Sequence, residues 1–234
     1  MFNPNSNFLF KRSGVQSKNR IVLAAMTNKQ SFEDGIISMD EINWLSRRAQ
    51  GGFGIITTAA THVSKHGQGW EGEFGVFDDK FIPSLTKLTH SIHRYEGLVF
   101  AQLFHGGIRS PEYLTGMQPI SADRVECKES KSGYSIKASE NDIKRIIKEF
   151  TSAAVRCVNA GFDGVELHGA HGYLISQFLS KSINKRKDRW GGDLKGRSRF
   201  LLEIFKSIRK HVPEKFIVGI RLSPEIKLLE ISLN

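Results

Sequence analysis

The sequence predicts an α/β fold of the (β/α)8 TIM-barrel type, C-terminally truncated to about five of eight β-α units. Three observations lead there. Short, continuously apolar runs alternate with longer amphipathic segments, the pattern of parallel strands linked by crossover helices. No Gly-x-Gly-x-x-Gly turn follows the first run, so the dinucleotide-binding fingerprint of an open doubly wound sheet is absent. Thr27, Ala60 with Thr61, Gln102, His168 and Arg221 all fall at carboxyl ends of successive runs. A barrel brings such ends together on one rim, whereas an open sheet spreads them along a line.

The elements follow in order. Residues 19–26 (NRIVLAAM) are expected as a first strand, buried on both faces, ended by Thr27 and Asn28. Residues 38–50 read as a helix with Ile42, Leu45 and Ala49 on one face and Gly51-Gly52 as its stop. A second strand at 53–58 leads into Ala59-Ala60-Thr61, and the Gly-rich stretch 66–75 is loop. Residues 81–95 are amphipathic, with Ile82, Leu85, Leu88 and Ile92 at helical spacing, and a third strand follows at 98–104. The stretch 110–139 has no period and is too long for an ordinary connection; it reads as an excursion loop. Ser139-Glu140-Asn141-Asp142 is a capping signal for a helix ending at Gly161. A fourth strand (164–167), a helix (194–212) closed by Pro213, and a fifth strand (216–222) complete the pattern.

Composition narrows the function classes. A 39% hydrophobic, 10% aromatic chain of 234 residues fits a globular core and not a disordered one. Phe8-Leu9-Phe10 is too short for a signal-peptide core, and no apolar run approaches the ~20 residues of a membrane span. Two cysteines, Cys127 and Cys157, make no disulfide framework, so a cytoplasmic location is expected. The net charge of +10 is scattered except in 181–189, with no aromatic-interleaved patch, so no nucleic-acid partner is expected. A basic surface equally suits an anionic small molecule.

The stretch 160–193 (AGFDGVELHGAHGYLISQFLSKSINKRKDRWGGD) holds the chemistry. A strand runs straight into His168, His171 and Tyr173, three titratable rings within six residues. On residue types alone the histidines are a metal pair, hydrogen-bonded core residues, or groups that anchor a substrate and donate protons. No third metal ligand is apparent nearby and His-Glu-x-x-His is absent, so no metal is expected. Arg221 could pair with a carboxylate such as Glu166, and Tyr173 could be a buried aromatic with a bonded hydroxyl.

Taken together, G-F-D-G-V-E-L-H-x-A-H-G-Y-L-x-x-Q-F-L-S and N-x-R-x-D-R-W-G-G resemble the Old Yellow Enzyme family of NADH:flavin oxidoreductases and ene-reductases, matching the N-terminal part of that family over residues 8–225. The resemblance implies an FMN-dependent enzyme that takes hydride from NAD(P)H and reduces activated C=C bonds of α,β-unsaturated carbonyls by a ping-pong route. It implies cofactor-binding roles for Ala25, Met26, Thr27, Ala60, Gln102 and Arg221. Thr27 would bond the flavin carbonyl, Gln102 the pyrimidine edge, and Arg221 the N1–O2 locus where negative charge develops. His168 and His171 would grip the substrate oxygen, and Tyr173 would protonate the α-carbon. Ala25 stands where the family usually has proline, Trp190 replaces a tyrosine, Gly196 an asparagine and Lys181 a proline.

The resemblance also sets expectations about what is missing. Residues 1–225 are expected as a partial FMN-binding barrel and 226–234 (IKLLEISLN) as a tail outside the family. In such barrels the loops after strands seven and eight hold the phosphate, so the ring-binding half is expected without the phosphate-binding half. Open apolar edges, weak or absent FMN binding by the chain alone, and a catalytically silent remnant or a homo-oligomer or complementing C-terminal chain are the corresponding expectations.

Overall fold

A hairpin comes first in the computed structural model, which describes residues 3–223. Strands β1 (Phe8–Phe10) and β2 (Val15–Ser17) pair antiparallel, and the Phe10 ring lies 6.1 Å from Phe100. Sequence reasoning gave this segment no structure. Three-residue strands carry too little alternation to be read, and what fixes them is contact with the sheet above.

The body of the fold is a five-stranded parallel sheet whose spatial order follows the chain. It runs from β3 (Val22–Leu23) to α1 (Met39–Gln50), β4 (Ile55–His62), α2 (Ile82–His93) and β5 (Leu98–Phe104). An excursion then holds α3 (Glu112–Thr115), β6 (Ile120–Ser121) and β7 (Ile136–Lys137), the last two paired in parallel. Next come α4 (Glu140–Asn159), β8 (Gly164–Gly169), α5 (Leu174–Leu179), α6 (Leu194–His211) and β9 (Ile217–Leu222). The order β3-β4-β5-β8-β9 makes an open sheet corresponding to part of a (β/α)8 barrel. The expected tail at 226–234 lies outside the described residues.

Helix starts follow the local chemistry. Ser38 accepts a hydrogen bond from the Glu41 amide, and Asp193 from that of Gly196. Ser139 and Asp142 form the full capping box at the head of α4. These side chains satisfy amides that an α-helix leaves without partners in its first turn.

The sheet has two faces because side chains alternate along each strand. Val99, Ala101 and Leu103 of β5, with Val165 and Leu167 of β8, join the core against the helices. There they meet Leu45, Leu85, Ile92, Ile146, Phe150 and Ile204 from α1, α2, α4 and α6, all buried. Each fully buried side chain of this size contributes roughly 1.5–3 kcal/mol. The other face carries Phe100, Gln102 and Phe104 beside Glu166 and His168, the inner side of a barrel wall.

One expectation fails. Residues 19–26 were expected as a strand buried on both faces, yet only Val22 and Leu23 pair, with Ile55 and Ile56. Val22 is 50% exposed and Ile21 37%. Both β3 and β9 form edges of the described sheet, so a run apolar enough for a central strand has one neighbour instead of two.

The basic stretch 181–189 is also not a simple charged surface. Arg186 is 5% exposed; its Nη1 donates to the carbonyls of Ala122 (2.8 Å) and Ala138 (2.7 Å), and its other nitrogens grip Asp188. Asn184 Nδ2 donates to the Phe178 and Trp190 carbonyls, at 2.7 and 2.8 Å. The motif therefore fastens two points of the excursion, Ala122 and Ala138, to the loop before α6.

Two outcomes are expected from these contacts. Arg186→Met removes the charge-assisted hydrogen bonds to the Ala122 and Ala138 carbonyls together with those to Asp188, and leaves the two carbonyls without donors; urea unfolding should show a loss of about 3 kcal/mol. A change below about 0.5 kcal/mol would place Arg186 among ordinary surface residues. His93 Nε2 lies 2.9 Å from Asp163 Oδ2, and that hydrogen bond raises the His93 pKa against the opposing effect of burial. A raised folded pKa means a stabilising contribution that is complete below the ordinary histidine value and lost as pH rises through the folded one. The difference in stability between wild type and His93→Gln should therefore shrink as pH rises through that range.

Candidate active site at the open rim

The site is built where strands stop. Along β4 the register slips between Thr57, opposite Phe100, and Ala60, opposite Gln102. This bulge turns Ala60 to the inner face, and Thr58 fills the gap in the ladder. Its Oγ1 accepts from the Gln102 amide at 3.2 Å and donates to the Ala59 carbonyl at 2.8 Å. Thr61 is spent locally, donating to the Ala59 carbonyl at 3.0 Å.

The β5–β8 register sets Gln102 opposite Glu166, and the side chains bond: Gln102 Nε2 donates to Glu166 Oε1 at 2.7 Å. The β8–β9 register sets His168 opposite Arg221. Glu166 thus takes the glutamine and not the arginine. Among the described residues, the Arg221 side chain makes no hydrogen bond or ion pair.

Ala25, Thr27, Ala60, Gln102, His168, His171, Tyr173 and Arg221 line one cavity of about 110 Å³, joined by Trp70. Eight of the nine residues singled out from the sequence therefore converge from five strand ends. The ninth, Met26, is 46% exposed and lies outside the lining. Ligand-enclosing pockets run to about 300–1,000 Å³, so this cavity by itself has room for only part of a ligand of that size.

His168 and His171 stand edge to face, 5.0 Å between ring centroids, with Tyr173 4.9 Å from His168. His168 is 4% exposed. Burial, assisted by the charges of His171 and Arg221, pushes its pKa down to about 3, so the ring is neutral at physiological pH. The Ala170 amide donates to Nδ1 at 3.3 Å, which leaves the ring proton on Nε2. Burial followed by Arg221 and Arg109 lowers the His171 pKa as well. His171 also holds φ 58°, a left-handed conformation uncommon for a residue with a side chain.

Tyr173 sits at the N-cap of α5 and packs edge-on against Phe104 at 4.5 Å. Burial raises its pKa, partly offset by Arg109, whose guanidinium lies 5.0 Å from the ring centroid. Among the described residues the hydroxyl has no hydrogen-bond partner, so it is free to donate into the cavity. The arrangement offers neutral N–H donors, a phenol and a fixed cation around two small alanines. That set suits a planar ligand with a polar edge and an electron-rich oxygen.

Sequence reasoning missed two residues here. Trp70 lies in the aperiodic Gly-rich loop, and its place depends on Glu73, which is 2% exposed. Glu73 Oε2 accepts from the amides of Gly69 (2.7 Å) and Trp70 (3.4 Å), and burial raises its pKa. Arg109 comes from the short turn after β5 and donates to the His171 carbonyl at 3.3 Å. A tryptophan among glycines was the one visible signal; nothing in the sequence marked Arg109. Elsewhere, no group of three or more His, Cys, Asp or Glu side chains among the described residues is arranged to hold a metal ion. Nor is any helix among them long and apolar enough to cross a membrane.

The fold and the site together define a parallel α/β half-barrel whose rim carries a His-x-x-His-x-Tyr segment beside an arginine that has no ionic partner among the described residues. The chain belongs to the NADH:flavin oxidoreductase / NADH oxidase family, matched over residues 9–230. It is 39% identical over 222 residues to the probable NADH-dependent flavin oxidoreductase YqiG of Bacillus subtilis, covering 93% of this chain and 59% of that protein. It is 37% identical over 213 residues to an NADH oxidase of Thermoanaerobacter brockii, covering 89% and 32%. Its fold matches the Old Yellow Enzyme homologue of Zymomonas mobilis with a TM-score of 0.86 at 29% identity, over 94% of this chain and 63% of that one. Morphinone reductase in complex with tetrahydroNAD matches with a TM-score of 0.86 at 26% identity, over 96% and 64%. The chain thus spans about three-fifths of the YqiG relative, and family membership carries the general expectation of FMN and NAD(P)H use.

The histidine pKa gives a direct check. A folded pKa near 3 against an ordinary value of ~6.5 means that the unfolded chain binds a proton the folded one refuses. Stability should therefore fall as pH drops from about 6.5 toward 3, and His168→Asn should weaken that dependence. NMR of the ring nitrogens should show a neutral Nε2–H imidazole at pH 6; an imidazolium there would overturn this assignment.

Proposed function

We propose that this chain carries the ring-binding and catalytic wall of an FMN-dependent NAD(P)H oxidoreductase acting on activated C=C bonds of α,β-unsaturated carbonyls. The observation that carries the reading is the convergence of His168, His171, Tyr173, Gln102, Thr27 and Arg221 on one cavity. The residues present fit the flavin ring. Ala25 and Ala60 leave room for a flat surface, Thr27 and Gln102 offer hydrogen-bonding groups at its edge, and Arg221 supplies a cation without a competing carboxylate among the described residues. Bound there, FMN would supply hydride transfer between NAD(P)H and the second substrate, which use the site in turn.

The chain's own residues then do four things. His168, neutral and with its proton on Nε2, donates to the carbonyl oxygen of the electrophile, and His171 supports it from the neighbouring turn. Polarising that oxygen makes the β-carbon the hydride acceptor. Tyr173 delivers its hydroxyl proton to the α-carbon and is reprotonated from solvent, so one hydride and one proton saturate the C=C bond. Arg221 stabilises negative charge at the ring edge, where a preorganised charge acts without reorganisation cost. The two free, buried cysteines are in keeping with a reducing, cytoplasmic setting.

A second reading has its own observation. Val22, Ile220 and Leu222 on the two edge strands are exposed, at 50%, 37% and 51%. Apolar sheet edges of this kind suit further β-α units that complete the barrel and bring phosphate contacts, whether from a partner chain or a second copy. The chain by itself would then be catalytically silent.

The visible spectrum after gel filtration with added FMN separates the readings. Retained flavin absorbance on a monodisperse species, bleached by NAD(P)H and restored by an enone, supports the enzyme. Colourless protein that acquires flavin only with an added C-terminal barrel segment supports the second reading. In a flavin-loaded form, Tyr173→Phe should slow enone reduction by roughly 10²–10⁴-fold with little effect on NAD(P)H oxidation. Equal loss in both steps would remove Tyr173 from the proton-donor role.

A further inference from the structure

We propose that Gln177 is a positioning residue of this site: its side-chain amide locks the turn bearing His171 and Tyr173 onto the turn that follows β5. Gln177 lies in α5, is 0% exposed, and does not line the cavity. Its Nε2 donates to the carbonyls of Gly172 (2.7 Å) and Gly106 (3.1 Å). Its Oε1 accepts from the Ile108 amide (3.3 Å) and the Ser121 hydroxyl (3.1 Å). Both donors and both acceptor positions of the amide are used, and no other side chain of this shape supplies the same set.

The surroundings are cut to fit that amide. Gly107 has φ 64°, and a Cβ there would come within 2.2 Å of Gln177 Oε1. Next to it, the Leu174 amide donates to the His105 carbonyl at 3.0 Å, a second tie between the same two turns. Arg109, one residue beyond Ile108, donates to the His171 carbonyl and covers the Tyr173 ring. His171 holds a left-handed backbone, which persists only where neighbouring contacts over-determine it. The bond from Gln177 to the Gly172 carbonyl, between His171 and Tyr173, is such a contact. Losing it would free the turn and let water reach the tyrosine hydroxyl.

The assignment rests on the proposed role of Tyr173, so its test reads that hydroxyl directly and not alkene turnover. Ultraviolet difference titration, with Tyr173→Phe as the reference, isolates Tyr173 from the other three tyrosines of the chain. In the wild-type chain it should ionise above the ordinary phenol range. Gln177→Met should move the ionisation down toward that range, by about threefold or more in the constant, while far-UV circular dichroism is unchanged. Gln177→Glu keeps the shape but loses at least one donor, and it gives the same reading if the methionine variant does not fold. A folded Gln177 variant with a wild-type Tyr173 titration would overturn the assignment. In flavin-loaded protein the same variants should lower kcat for the enone more than they raise its KM. If Tyr173→Phe reduces enones normally, the proton-donor role falls, and the titration still decides whether Gln177 holds the turn.

Discussion

The pairing of β5 between β4 and β8 is the constraint on which the rest depends. Leu103 opposite Leu167 puts both leucines against the helices, and the same register places Gln102 against Glu166 and brings Phe104 beside His168. A slip of one residue would turn the leucines to the open face and the polar groups into the core. Burial on the helix side therefore fixes the chemistry on the other. The bulge in β4 performs the matching correction, presenting Ala60 at the level of Gln102.

Burial also decides how the rim groups behave. His168 is kept neutral because its surroundings cannot solvate a cation and because Arg221 and His171 stand close. Tyr173 keeps its proton for the same reason, against the pull of Arg109. A neutral donor pair beside a protonated phenol is the protonation pattern that the proposed carbonyl polarisation and proton delivery call for. Glu73 and Gln177 lie one layer further out and bond backbone groups of the neighbouring loops: one the amides of the loop that carries Trp70, the other the carbonyls of two turns.

Much of this could be read from residues alone. Apolar runs at 98–104 and 216–222 and the box Ser139–Asp142 report local preferences that tertiary contacts reinforce, so these three elements appear within a few residues of their expected places. The histidines, Tyr173, Gln102 and Arg221 stand out in the sequence because their order resembles that of a known family, and the fold brings them to one cavity. The first strand was misjudged because apolar composition reports a capacity for burial, whereas burial itself needs a neighbour on each side. Met26, in the irregular segment after β3, lies outside the cavity lining.

The sequence by itself determined the alternation of strand and helix, the helix caps and the set of chemical groups at the strand ends. These follow from periodicity and local hydrogen bonding, which act over a few residues. Only the tertiary structure decided that Glu166 takes Gln102 and leaves Arg221 without a partner among the described residues, that Arg186 is buried, that Trp70 joins the cavity lining, and that Arg109 and Gln177 bond the turn bearing His171 and Tyr173. Those outcomes depend on register and on contacts between residues more than sixty positions apart in several cases, such as Gln102 with Glu166 and Gln177 with Gly106. Such pairings carry no local signature, because the same side chains would be equally stable in water until the sheet brings them together.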